Sequence, residues 1–116
     1  MTILDVKNIL SAEVICGEEF LGKEVHTACG SDMMSDVLAF VKDQSVLVTG
    51  LCNPQVVRTA EMMDMICICF VRGKTPDEDM IELAKERGIV LMATKERMFA
   101  ACGLLYAEGL RGGDSK

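Results

Sequence analysis

The sequence contains no run of basic residues: 18 acidic side chains against 12 basic ones leave a net charge of -6 over 116 residues. A nucleic-acid binder needs a basic footprint to meet phosphates, so DNA and RNA are excluded as partners. No apolar stretch reaches the roughly 18 residues that cross a bilayer, which excludes a membrane span. Met1 to Lys7 lacks the basic and apolar segments of a signal peptide, so a cytoplasmic protein is expected. Histidine occurs once, at His26, tryptophan is absent and proline occurs twice. There is no Gly-x-Ser-x-Gly elbow and no His-rich metal motif, so neither a hydrolase nucleophile nor a zinc site announces itself.

What the chain has instead is aliphatic and sulfur-bearing side chains. Half of its residues are hydrophobic, with 9 Met and 6 Cys and only 4% aromatics. One domain of this length buries a real core, and the apolar excess points to further burial by self-association, with a homodimer as the expected form. The cysteines at 16, 29, 52, 67, 69 and 102 sit mostly in apolar runs. Without a secretion signal they read as reduced thiols acting as small hydrophobes, and no disulfide is expected.

From Val46 onward an apolar strand, a polar break and an amphipathic helix recur three times. The strands are Val46 to Thr49, Ile66 to Val71 and Ile89 to Ala93, continuous apolar runs of the kind covered on both sheet faces. Asn53 before Pro54, Thr75 before Pro76, and Thr94 before Lys95 mark the helix starts, giving helices over 54–64, 76–87 and 95–107. Upstream, Thr2 caps a helix to Leu10, strands follow at 13–16 and 24–29 with an irregular link, and a helix runs from Ser31 to about Lys42. Met34, Val37, Leu38 and Val41 form its apolar face. In the last helix Met98, Phe99, Cys102, Leu105 and Tyr106 form one wide stripe, and Gly103 and Ala107 permit close approach of another helix of the same molecule. The reading is a three-layer α/β/α sandwich with a mixed, mostly parallel sheet of about five strands, its last three mutually parallel. Residues 1–110 form the domain and 111–116 a polar, Gly-rich tail.

The Gly73-Lys74-Thr75 corner imitates the end of a phosphate-binding loop. A true loop of that type has a glycine five positions earlier, where this chain has Ile68 inside a strand. The corner reads as a helix start: Thr75 as N-cap, Pro76 first in the helix and Glu78 closing a capping box.

In open α/β sheets, ligands bind beyond the carboxyl ends of parallel strands. That rule selects Thr49 and Asn53, then Arg72, Gly73 and Lys74, then Thr94 and Lys95, which carry hydroxyls, an amide and three cations able to hold a small anion. The competing assignment makes Asn53, Thr75 and Thr94 simple caps and the cations solvated. Cys67 and Cys69 point to one sheet face as core, since two thiols do not make a metal site. His26 reads as a strand-face residue near Glu24, and Asp32 as part of a helix start. No catalytic residue, cofactor or metal is assigned.

Two segments carry a family resemblance. Leu10-Ser11-Ala12-Glu13-Val14-Ile15-Cys16-Gly17-Glu18-Glu19-Phe20-Leu21-Gly22-Lys23-Glu24-Val25 and Val71-Arg72-Gly73-Lys74-Thr75-Pro76-Asp77-Glu78 resemble the DRTGG domain. Gly30-Ser31-Asp32-Met33-Met34-Ser35-Asp36-Val37 is similar to the Ser-Asp block of small stand-alone members. Gly22-Lys23-Glu24 stands at the Asp-Arg-Thr position, and Arg72 replaces the first glycine of the pair. The resemblance implies an α/β/α fold similar to the N-terminal domain of HPr kinase/phosphorylase. It also implies a regulatory or assembly role, because such domains are fused to phosphotransacetylase or to CBS pairs.

The expectation is therefore a non-catalytic, dimeric regulatory or scaffolding domain, with an unidentified protein partner and a small anionic metabolite or nucleotide as candidate ligand. The alternative is a subunit of, or accessory to, an enzyme of phosphoryl or acetyl-phosphate metabolism that binds a phosphorylated ligand.

Overall fold

A computed structural model describes residues 1–40 and 44–112. Val41 and Lys42, assigned above to a helix, and residues 113–116 of the tail lie outside them. The chain runs α1 (Ile3–Leu10), β1 (Glu13–Cys16), a single 3-10 turn (Glu18–Phe20), β2 (Thr27–Gly30), α2 (Met34–Phe40) and β3 (Ser45–Thr49). It continues through α3 (Pro54–Met62), β4 (Cys67–Phe70), α4 (Glu78–Arg87), β5 (Val90–Ala93) and α5 (Met98–Ala107).

The five strands form one sheet in the order β1-β5-β4-β3-β2. Strands β2 to β5 are mutually parallel, and β1 joins β5 antiparallel with a break in register between Val14 and Cys16. The two N-terminal strands thus lie at opposite edges of the sheet. Alternation along each strand sends side chains to two separate cores. On one face Val46, Val48, Cys67, Cys69, Val90 and Met92 meet Ile3, Val6 and Leu10 of α1 and Ala101 and Leu105 of α5. On the other Leu47, Ile68, Phe70 and Leu91 meet Val37 of α2, Val56, Val57 and Ala60 of α3, and Met80 and Ala84 of α4. The result is the expected α/β/α layering. Cys67 and Cys69 are core residues, and all six cysteines are free thiols.

Helix boundaries depart from the expectations where polar side chains have other partners. Helix α4 starts at Glu78 and is capped by Asp77, whose Oδ1 accepts the Met80 amide at 3.0 Å. Thr75 is therefore not the cap, and the Thr75–Glu78 capping box does not form. Asp77 wins because its side chain reaches the amide three residues on, which is the standard N-cap geometry.

Helix α5 starts at Met98 after Arg97, so Thr94 is not its cap either. The Thr94 hydroxyl is buried, donates to the Leu10 carbonyl at 2.7 Å and accepts the Glu96 amide at 3.2 Å, tying the β5–α5 loop to α1. Asn53 does stand at the N-cap of α3, but its side chain makes no capping bond. Helix α2 begins at Met34 rather than Ser31, because the Ser31 hydroxyl accepts the Met33 amide at 2.9 Å and Asp32 is engaged elsewhere.

Helix α5 also separates the stripe read from its sequence. Met98, Cys102, Ala101 and Leu105 pack inward, while Phe99 is 92% and Tyr106 61% exposed. Gly103 faces open space, so its small size serves no packing within the chain. Leu38 of α2 is likewise exposed. Among the described residues no helix is long and apolar enough to cross a membrane.

Candidate ligand site at the carboxyl ends of the parallel strands

Strands β3, β4 and β5 end at Thr49, Phe70 and Ala93, and the three following loops lie at one edge of the sheet. Hydrogen bonds bind these loops together. The Arg72 amide donates to the Glu96 carbonyl at 2.8 Å and the Gly73 amide to the Thr94 carbonyl at 2.9 Å, joining the β4–α4 loop to the β5–α5 loop. The Cys52 thiol donates to the Thr75 carbonyl at 3.2 Å, joining the β3–α3 loop to them. Thr49, Asn53, Arg72, Gly73, Lys74, Thr94 and Lys95 therefore lie on three loops stitched to one another, although their side chains do different things.

Thr49 is buried and internal. Its hydroxyl donates to Asp32 Oδ1 at 2.9 Å and accepts the Leu51 amide at 3.1 Å. The same Asp32 oxygen accepts the Gly50 amide at 2.7 Å. Asp32 is thus not a helix-start residue but the clamp on the β3–α3 loop, a role that sequence reasoning missed. The bond from the Gly50 amide, the Thr49 hydroxyl and the Arg72 charge hold its carboxyl below the usual carboxylate range, against partial desolvation. The only signal available beforehand was the Ser31-Asp32 pair of the family-like block.

Arg72 is the unusual residue. Its φ is +59° and that of Gly73 is +71°, so both central residues of the turn closed by the Lys74 amide on the Val71 carbonyl (3.2 Å) lie in the left-handed region. Glycine adopts that region freely, whereas a long side chain there costs roughly 1 kcal/mol or more. The Arg72 guanidinium lies against the Gly50 backbone. A Cβ at Gly50 would stand 2.9 Å from Cζ and 3.3 Å from Nη1, closer than such atoms pack. Gly50 is thus small where the guanidinium rests.

Lys74 and Lys95 are exposed, and Asn53 Oδ1 is a buried acceptor with no protein partner. The Gly73 and Lys74 amides are already bonded to the Thr94 and Val71 carbonyls, so neither donor is offered to a phosphate. Cations and amide side chains are what it offers a ligand.

His26 is exposed and lies at the other end of the sheet, before β2, where its amide bonds the Gln44 carbonyl at 3.0 Å. Glu24 accepts the terminal ammonium of Met1 at 3.3 Å. A strand length separates this imidazole from Arg72. Among the described residues no three His, Cys, Asp or Glu side chains form a metal-holding group.

The sequence profile of the DRTGG domain matches residues 5–107. The chain belongs to the DRTGG domain family. The DRTGG fold recurs in the crystal structure of the CBS and DRTGG domains of the regulatory region of Clostridium perfringens pyrophosphatase, solved with its activator diadenosine tetraphosphate. That similarity has a TM-score of 0.69 at 24% identity, covering 87% of this chain and 44% of the other. This DRTGG domain thus spans less than half of that chain, and the likeness is one of fold. No curated protein sequence matches this one.

Proposed function

We propose that this DRTGG domain is a non-catalytic regulatory module that self-associates and senses a small phosphate-bearing anion at the carboxyl edge of its sheet. The observation that carries the proposal is Arg72. A long side chain held at positive φ beside Gly73 carries a conformational cost that glycine would not, and such strain gathers at ligand sites. Its guanidinium sits beside Gly50, with Lys74 and Lys95 on the adjoining loops, on a protein whose net charge is otherwise -6. Guanidinium is the side chain suited to planar recognition of phosphate oxygens.

Nucleotides are the first class to test, because a regulatory region that contains a domain of this fold beside CBS domains was solved with a dinucleoside polyphosphate. The non-catalytic half of the reading rests on the DRTGG match over residues 5–107, a domain of regulatory type. The test is thermal unfolding and calorimetric titration with diadenosine tetraphosphate, ATP, AMP and acetyl phosphate. Stabilisation by one of them that disappears in Arg72→Gly supports the reading. Silence across the panel removes the ligand half of it, and turnover of any of these compounds removes the non-catalytic half.

A further inference from the structure

Helix α5 carries three of the large apolar side chains that the described residues expose, Phe99, Leu104 and Tyr106, and no charged residue between Met98 and Ala107. Two copies of a protein of net charge -6 repel over most of their surface, and a helix with no charge of its own from Met98 to Ala107 is where they meet with least opposition. Its ends are more telling than its middle. Arg97 stands at the N-cap and Glu108 at the C-cap. A cation at the amino end and an anion at the carboxyl end both oppose the dipole of their own helix. Beside an antiparallel neighbour, each has the right sign.

We infer that the outer face of α5 is a homodimer interface, in which two α5 helices pack antiparallel about a two-fold axis between Cys102 and Gly103. This rests on the self-association part of the proposed function and gives it a surface. Phe99 and Tyr106 are equidistant from that midpoint and about two helical turns apart, so they share one flank. The axis sets Phe99 against the partner's Tyr106. Arg97 and Glu108 are also equidistant from the midpoint and about three turns apart, on the other flank. The axis sets Arg97 against the partner's Glu108, and each charge then faces the helix end that it stabilises.

Gly103, beside the axis, is where the two backbones come closest, and a Cβ there meets nothing of its own chain within 4 Å. Tyr106 is held ready, since the Arg111 guanidinium stacks over its ring at 3.8 Å from the centroid and donates to its carbonyl at 2.8 Å.

Light scattering and sedimentation at micromolar concentration test this with four variants. Wild type is a dimer. Phe99→Asp and Gly103→Gln are monomers with unchanged circular dichroism, and Gly103→Gln unfolds no earlier than wild type under conditions where both are monomeric, because glutamine favours a helix over glycine. Arg97→Glu weakens the dimer about tenfold or more by setting like charges together, although it suits its own helix dipole. Arg97→Glu with Glu108→Arg restores it. A monomeric wild type overturns both this interface and the self-association reading. A dimer indifferent to Phe99→Asp and Gly103→Gln overturns the interface alone. Failure of the double charge exchange to restore a weakened dimer overturns the antiparallel register.

Discussion

Asp32 accepts the Gly50 amide at 2.7 Å and the Thr49 hydroxyl at 2.9 Å through one oxygen, so the loop that follows β3 is held by a carboxylate from the segment that follows β2. Removing it leaves a donor hydroxyl and a donor amide unmatched in a half-buried place. Asp32→Ala should cost about 1–2 kcal/mol of stability in chemical denaturation, at the lower end of the range for bonds to a charged group because Asp32 itself is solvent-exposed.

Asp32 also gives the fold an acid limb. Its folded carboxyl titrates below the unfolded value of 3.8, so the unfolded chain takes the proton first as pH falls. The stabilisation is present in full above about pH 4 and is lost as pH drops through the folded value. Denaturation of wild type and Asp32→Asn should differ near neutral pH and converge at low pH. A difference that stays constant down to pH 2 would show that the charge is not what matters.

The helix start after β4 separates two readings of one sequence. Asp77 caps α4 through Met80, and Thr75 does not. Asp77→Ala should therefore cost about 1 kcal/mol, whereas Thr75→Ala should cost a few tenths, as measured by urea midpoints. The reverse ranking would restore the threonine cap.

The layers were legible in the sequence because they depend on periodicities that burial enforces. Continuous apolar runs at 46–49, 66–71 and 89–93 are what a sheet covered on both faces requires, and each became a parallel strand. Helix starts were less legible, since Thr-Pro-Asp-Glu offers two capping residues, Thr75 and Asp77, on either side of Pro76, and sequence alone does not say which side chain reaches an amide. Of the candidate site, the sequence offered only the edge of the sheet at which to look. The strand-end rule located Arg72, but the Asp32–Gly50 bond spans 18 residues, and no local pattern encodes it. Likewise Phe99 and Tyr106 look like core by hydrophobicity, yet Ala101 and Leu105 take the inward side of α5 and leave both rings outside.

Buried thiols give an alkaline limb of opposite sign. Burial pushes the Cys69 thiol up to about 12 and the Cys67 thiol well above its ordinary 9.0. The unfolded chain loses these protons first as pH rises, so the neutral-thiol stabilisation is complete below pH 9 and declines above it. Cys69→Ala should flatten that decline. In the native state at neutral pH an alkylating reagent should reach Cys29, Cys52 and Cys102, which are half-buried, well before Cys16, Cys67 and Cys69, and mass spectrometry of the labelled peptides reads the order. Fast labelling at Cys67 would mean that β4 opens.

Arg72 and Gly50 allow ligand binding to be separated from folding. Glycine at position 72 relieves the positive φ of +59° but gives the unfolded chain more freedom, so Arg72→Gly should change stability by less than about 1 kcal/mol while removing the guanidinium. In Gly50→Ala the new methyl meets the end of the Arg72 side chain rather than backbone, and Gly50 is not at positive φ. The chain can therefore yield by swinging the guanidinium aside, again at little cost in stability. If Arg72 binds a phosphate-bearing ligand from its place on Gly50, both variants should lose most of the ligand-induced rise in unfolding temperature while keeping their own unfolding temperature near that of wild type. If Gly50→Ala binds as well as wild type and Arg72→Gly does not, the cation acts from some other position. If both bind normally, the strain at Arg72 belongs to the turn alone, and the ligand site must be sought away from this edge.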